Sequence, residues 1–216
     1  LYDEGYFDLA AEQLQRVLQN YPEFPNADEA HYLLADSYYK NEEYKNARAT
    51  YLRLAIVFPE SPLAAESMYK VARVLEVMQN PKEAAHAYGR VQGFYPQSVF
   101  ALKGLGDALR LYETAEDTAK AESVSDLILE KYPTSSIADK VRFQKAMWFL
   151  ARKDVAKAKS LLIRLSAQTS IDSLSAEALL ELGRIYRSEL AWEKAKNTWS
   201  KAVSKAPHSN SSFRAM

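Results

Sequence analysis

Arg73, Arg110 and Arg184 fall on one series with a step of 37 residues, and Tyr32, Tyr69 and Phe143 fall on another of the same step, four places earlier. A guanidinium can grip a carboxylate through two parallel bonds, and a ring four residues away on a helix shares its face. Residue types of this kind do recognition chemistry, holding acidic and apolar side chains of a partner without breaking a covalent bond. The types that would do covalent chemistry are scattered or missing. His31, His86 and His208 occupy unrelated places in the step and form no i, i+4 metal pair. Cysteine is absent, which removes thiolate ligands, a thiol nucleophile and disulfides. No GxSxG, HExxH or phosphate-loop pattern occurs. Gly104-Leu105-Gly106 has no strand before it, so it is not read as a nucleotide loop. The carboxylates are many but dispersed. No catalytic residue, no cofactor and no metal site are expected.

The step of 37 belongs to the whole chain. Pro22, Pro59, Pro96, Pro133 and Pro207 occupy it, with Ser170 in the vacant place. Ser61, Ser98, Ser135, Asp172 and Ser209 follow two residues later. Proline stops an arriving helix because it lacks an N–H and clashes with the preceding turn, and a Ser or Asp just beyond it caps the next. "VFPESPLAAES" at 57–67 is therefore the joint of a tandem array. Five ungapped repeats follow: 23–59, 60–96, 97–133, 134–170 and 171–207. Residues 1–22 supply the second helix of a truncated repeat, and 208–216 a tail or the start of a further helix. On this frame the chain is expected to be a fragment.

Positions within a repeat, counted from the residue after the proline, form columns. Column 25 holds Ala47, Ala84, Ala121, Ala158 and Ala195, with Ala10 from the partial repeat. Column 13 holds Ala35, Ala72, Leu109, Ala146 and Gly183, and column 16 holds Tyr38, Leu75, Tyr112, Phe149 and Tyr186. Small residues in fixed columns let helices approach closely, and large ones opposite fill the groove. Each repeat reads as two antiparallel helices, over columns 4–18 and 21–35, joined by a polar turn. Such a hairpin buries its apolar faces only by stacking on its neighbours.

These columns resemble the tetratricopeptide repeat (TPR). Residues 32–59 supply Leu34, Ala35, Tyr38, Tyr44, Ala47, Tyr51 and Pro59; residues 179–207 supply Leu182, Gly183, Tyr186, Trp192, Ala195, Trp199 and Pro207. Repeat 3 departs at Ser125, where an aromatic is usual. The resemblance implies an all-α fold, a right-handed TPR-like α-solenoid of antiparallel helix pairs. The period departs as well, since 37 residues exceed the usual 34. This longer form resembles bacterial cell-envelope TPR proteins of the Tol–Pal-associated and outer-membrane assembly types. It implies a periplasmic or outer-membrane-associated chain, the alternative being cytoplasmic.

The resemblance also implies where a partner would bind. First helices of TPR proteins line a concave groove, here columns 7, 10, 11, 14, 17 and 18. The groove residues so carried over are Tyr32, Tyr69 and Phe143; Asp36, Arg73, Arg110, Met147 and Arg184; and Tyr39 and Arg187. The bland alternative pairs Arg73 with Glu76 and Arg110 with Glu113 as solvated neighbours on one helix. The chaperone-type clamp for a C-terminal carboxylate is disfavoured, because it wants Lys and Asn where Tyr32 and Asp36 stand.

Charge narrows the partner class. The chain carries 28 basic and 28 acidic residues. That balance argues against nucleic acid, which needs clustered positive charge. Residues 1–133 hold 21 acidic and 13 basic side chains, and 134–216 hold 7 and 15, so net charges of −8 and +8 face an acidic partner or an anionic membrane differently. No apolar run is long enough to span a membrane, although membrane proximity stays open. The expected function is a non-enzymatic scaffold or adaptor that binds a peptide or helix of another protein in its groove, in cell-envelope assembly. The alternatives are the interaction domain of a larger enzyme and a helical-repeat RNA binder.

Overall fold

The computed structural model describes residues 1–21 and 24–206; the joints at Pro22 and Pro207, His208, the Ser209 cap and the tail 208–216 lie outside them. Among the described residues there are eleven α-helices and no strand. In chain order they are α1 Phe7–Asn20, α2 Ala27–Lys40, α3 Tyr44–Val57, α4 Ala64–Val77, α5 Pro81–Phe94, α6 Val99–Thr114, α7 Thr118–Lys131, α8 Ser136–Ala151, α9 Val155–Gln168, α10 Asp172–Ser188 and α11 Trp192–Lys205. The even-numbered members are the first helices of their pairs and the odd-numbered ones the second.

Local chemistry sets these ends. Ser98 and Ser135 cap α6 and α8, their hydroxyls accepting the backbone N–H of Phe100 and Ala138. Ser61, expected to cap α4, does not: Leu63 takes the cap place, with its N–H bonded to the Ser61 hydroxyl, and α4 begins at Ala64. Asp172 does not cap α10. It is the first helical residue, Ile171 takes the cap place, and the Ile171 N–H bonds to Thr169 Oγ1 at 3.2 Å. Without proline at Ser170, the threonine hydroxyl ties down the backbone that the missing ring would have fixed.

The turn inside each pair is uniform in a way that composition hides. Glu42, Gln79, Glu116, Lys153 and Leu190, all in column 20, adopt φ between 56° and 63°. Each begins the same double bond pattern: Gln79 N–H to Glu76 C=O and Asn80 N–H to Leu75 C=O, both 3.0 Å, repeated as Leu190 to Arg187 and Ala191 to Tyr186. This is a Schellman close with a non-glycine residue in the left-handed place. Asp117 and Asp154 then accept the N–H of Lys120 and Lys157 to start α7 and α9.

Packing follows the columns. Ala10, Ala47, Ala84, Ala158 and Ala195 are buried, whereas Ala121 is half-buried. Gly183 lies directly under the Trp199 indole: a Cβ there would meet Nε1 at 2.1 Å. Gly104 admits the Tyr88 carbonyl, which a Cβ would meet at 2.6 Å. The chain divides into two compact units, Leu1–Val124 and Ser125–Met216. The division falls at column 29 of repeat 3, where Ser125 stands in place of the fully buried Tyr51, Tyr88 and Leu162 of the other repeats. Within each unit the pairs stack as an α-solenoid, and first helices also touch one another, α4 against α6 and α8 against α10.

Leu190 offers the sharpest test of the turn. It holds φ 60° while 73% exposed, so its side chain contributes little packing and its backbone is strained. Leu190→Gly is expected to raise stability by about 0.5–1 kcal/mol, the left-handed strain relieved exceeding the added freedom of the unfolded chain. Denaturant midpoints measure it, and a lower midpoint for the glycine variant would refute the strain.

Candidate functional site

The first-helix face of the unit 1–124 is built on two buried tyrosines. Tyr51 of α3 has no exposed surface, and its hydroxyl donates to Asp36 Oδ1 at 2.7 Å. Lys70 Nζ of α4 reaches the same oxygen at 2.6 Å, and Tyr2 donates to Oδ2. Lys70 also sits 4.5 Å from the centre of the Tyr32 ring, whose hydroxyl donates to Glu66 at 2.7 Å. Asp36 is thus buried with its carboxylate engaged three times over. Burial raises its pKa, but the bonds from Lys70, Tyr2 and Tyr51 outweigh that and hold it below the usual carboxylate range. Asp36, expected as a partner contact, is instead an internal counter-ion.

The next repeat uses the same parts, one turn displaced. Tyr88 of α5 is fully buried and donates to Glu76 Oε2 at 2.9 Å, while Arg110 of α6 donates to Glu76 Oε1 at 2.8 Å. Glu76 is held low because these bonds outweigh its burial. Arg110 also bonds Asp107 at 3.3 Å, and Asp107 accepts the Tyr69 hydroxyl at 2.7 Å. Burial and that carboxylate push the Tyr69 phenol up to about 12. Arg110 therefore pairs across the repeat with Glu76, not with Glu113 on its own helix. Arg73 is exposed beside the phenols of Tyr39, Tyr69 and Tyr88, and the Glu76 carboxylate one turn on also favours its charge, although the two lie outside ion-pair distance. Tyr39 is half-buried, edge-on to Tyr44 at 5.8 Å.

The remaining expected residues belong to the second unit. Phe143 and Met147 of α8 are half-buried against a core that includes Ala146, Leu162 and Leu182. Arg184 of α10 is exposed and pairs with Glu181 one turn before it. Arg187 is also exposed, and its guanidinium lies 5.9 Å from the centre of the Trp199 ring. Within the unit 1–124 the structure brings Tyr32 to Asp36 and Tyr69 to Arg73 and Arg110. No group of His, Asp and Glu fit to hold a metal occurs among the described residues, and no described helix is long and apolar enough to cross a membrane.

Two family models, both described as tetratricopeptide repeat, match the sequence, one over residues 1–65 and the other over 66–98 and 177–209. The chain belongs to the TPR family. No curated protein matches the sequence. Solved structures that share the fold include YrrB, described as a TPR protein with an unusual peptide-binding site (18% identity, TM-score 0.55, covering 95% of this chain and 98% of that one). MamA matches at 10% identity and TM-score 0.53 over 83% of this chain and 92% of its own. BtubC from P. vanneervenii matches at 16% and 0.51 over 93% and 88%.

Within this TPR array four of the contacts that sequence reasoning missed share one spacing. Tyr2–Asp36, Tyr32–Glu66, Lys70–Asp36 and Arg110–Glu76 are all separated by 34 residues. That is one repeat less about one helical turn, the offset at which stacked first helices present side chains to each other. Complementary polar residues 34 apart in a 37-residue period were the available signal.

Asp36 gives the site a pH signature. A carboxyl held lower in the folded chain than in the unfolded one binds fewer protons when folded. Its stabilisation is full above the unfolded value of roughly 4 and is lost as pH falls through the folded one. Asp36→Asn should cost about 1.5–3 kcal/mol at neutral pH, and the gap to the parent should close as pH drops below about 4. Chemical denaturation across that range measures it; a gap that stays constant would show that Asp36 is not the buried anion.

Proposed function

We propose that this TPR chain is a non-enzymatic scaffold that binds a segment of another protein along the first-helix face of the unit 1–124. The observation that carries the reading is the character of that face. The half-buried Tyr32 and Tyr39 and the exposed Arg73 present rings and a cation on helices held rigid by the internal bonds of Asp36 and Glu76, whereas Tyr69, expected as a partner contact, is buried beneath them as part of the core. Rigid aromatic and guanidinium groups lose little entropy on contact and are the side chains that most often anchor interfaces. YrrB, a TPR protein with an unusual peptide-binding site, fits such a use of the fold. In the second unit, Phe143, Met147, Arg184 and Arg187 form the corresponding face, with apolar surface in place of the tyrosine–carboxylate bonds.

The test is a display of short random peptides panned on the chain, followed by amide exchange with and without a selected peptide. Protection should appear on α2, α4 and α6. Protection confined to α1, α3 and α5 would place binding on the opposite face and sink the reading.

A cell-envelope role, with the chain periplasmic or outer-membrane associated, is proposed from the long joint and its 37-residue period. Fractionation of cells of the source organism should recover the protein with the envelope. Recovery in the cytosol alone would overturn this part and leave the binding proposal standing.

A further inference from the structure

The polar side chains of the 1–124 face can be matched donor to acceptor. Asp36 takes Lys70, Tyr51 and Tyr2; Glu66 takes Tyr32; Glu76 takes Tyr88 and Arg110; Asp107 takes Tyr69 and Arg110. Three cations of its groove columns are left over, Lys40, Arg73 and Lys103, and the last two meet at one ring. Among the described residues neither Arg73 nor Lys103 lies within ion-pair distance of a carboxylate, and both are exposed. They border the same ring: Lys103 Nζ is 4.7 Å from the Tyr69 centroid and 5.7 Å from that of Phe100, and Arg73 stands one turn along α4 beside the Tyr69 phenol.

Repeat 1 shows what such a place holds when it is filled from within. There a lysine of the following helix, Lys70, lies over the column-10 ring of Tyr32, and the column-14 side chain is the carboxylate Asp36. In repeat 2 a lysine of the following helix, Lys103, again lies over the column-10 ring, now Tyr69, but column 14 is Arg73. The internal anion is gone and a second cation stands in its place. The buried tyrosine that met Asp36 in repeat 1 has its counterpart in Tyr88, which bonds Glu76 instead.

We propose that Arg73 and Lys103, which both border the buried Tyr69, bind an acidic side chain, Asp or Glu, of the partner segment. This rests on the reading that the first-helix face of this unit binds peptide. It separates two arginines that sequence reasoning treated alike. Arg73 recognises the partner, while Arg110 is spent on Glu76 and Asp107 and holds the repeats together.

The experiment uses peptides selected from the displayed library on the whole chain. Their affinities are measured for the parent, Arg73→Gln, Lys103→Gln, the double variant, and Arg48→Gln, an exposed change on α3. The selected peptides should share an acidic residue at a fixed place. Each single variant should weaken them about tenfold or more, and raised salt should narrow the difference. Replacing the shared acid by its amide should weaken the parent and leave the double variant unmoved. Denaturant midpoints should fall less for Arg73→Gln and Lys103→Gln, whose cations lie outside ion-pair distance of a carboxylate, than for Arg110→Gln, which removes two ion pairs. Peptides that protect α2, α4 and α6 but carry no common acid, or bind the double variant like the parent, would overturn this inference alone. Selection of no peptide would overturn the binding reading and this inference with it.

Discussion

Tyr51 and Tyr88 have no exposed surface, yet each ends in a hydroxyl that must find an acceptor or incur a desolvation cost. The ring fills the space between helices that the column-25 alanines leave open, so the tyrosine cannot be withdrawn. Its hydroxyl emerges at the first-helix face, and a carboxylate meets it there: Asp36 in one repeat, Glu76 in the next. A carboxylate drawn out of water in this way calls for a cation, and the following first helix supplies it through Lys70 or Arg110. Core packing thus dictates the polar composition of the face. The same bonds fasten each repeat to its neighbour at a spacing of 34 residues.

Such bonds hold register more than they add stability. Taking a carboxylate and an ammonium out of water costs much of what their attraction returns, so Asp36–Lys70 and Glu76–Arg110 contribute modestly as pairs. Breaking one side leaves the other buried without its partner. That asymmetry penalises any shift of α4 against α2 or of α6 against α4. A face built this way keeps its rings in place before a partner arrives, which reduces the ordering cost of binding.

The fold was legible because its punctuation is chemical. Proline and serine at 37-residue intervals mark the joints, and the starts of α6 and α8 follow directly from Ser98 and Ser135. The turns within pairs were less legible: column 20 holds Glu, Gln, Glu, Lys and Leu, none of which signals a left-handed backbone. The geometry there is imposed by closing two helices of fixed length onto each other. Asp172 misled because a capping residue type was read without its backbone, and Thr169 performs the tie. For the face, helical spacing placed the residues on the right helices but could not assign their partners. Pairs three or four apart lie on one helix, whereas most of the pairs that form join different helices, and Lys103 in column 7 reaches the Tyr69 ring of the preceding first helix.

The second unit shows what happens when the tyrosine is absent. Column 29 of repeat 4 is Leu162, fully buried and without a hydroxyl. Nothing then emerges at the first-helix face in need of an acceptor, and columns 14 and 17 of that repeat are Met147 and Leu150, both packed against the core. In repeat 5 column 29 is Trp199, whose indole N–H finds the Leu180 carbonyl at 3.3 Å. Its donor is satisfied by backbone, so no carboxylate is required, and Arg184 turns to Glu181 on its own helix. A single core position per repeat, by carrying a hydroxyl, an indole or neither, accounts for why one unit builds its face on tyrosine–carboxylate bonds and the other sets Phe143 and Met147 beside Arg184 and Arg187 without them.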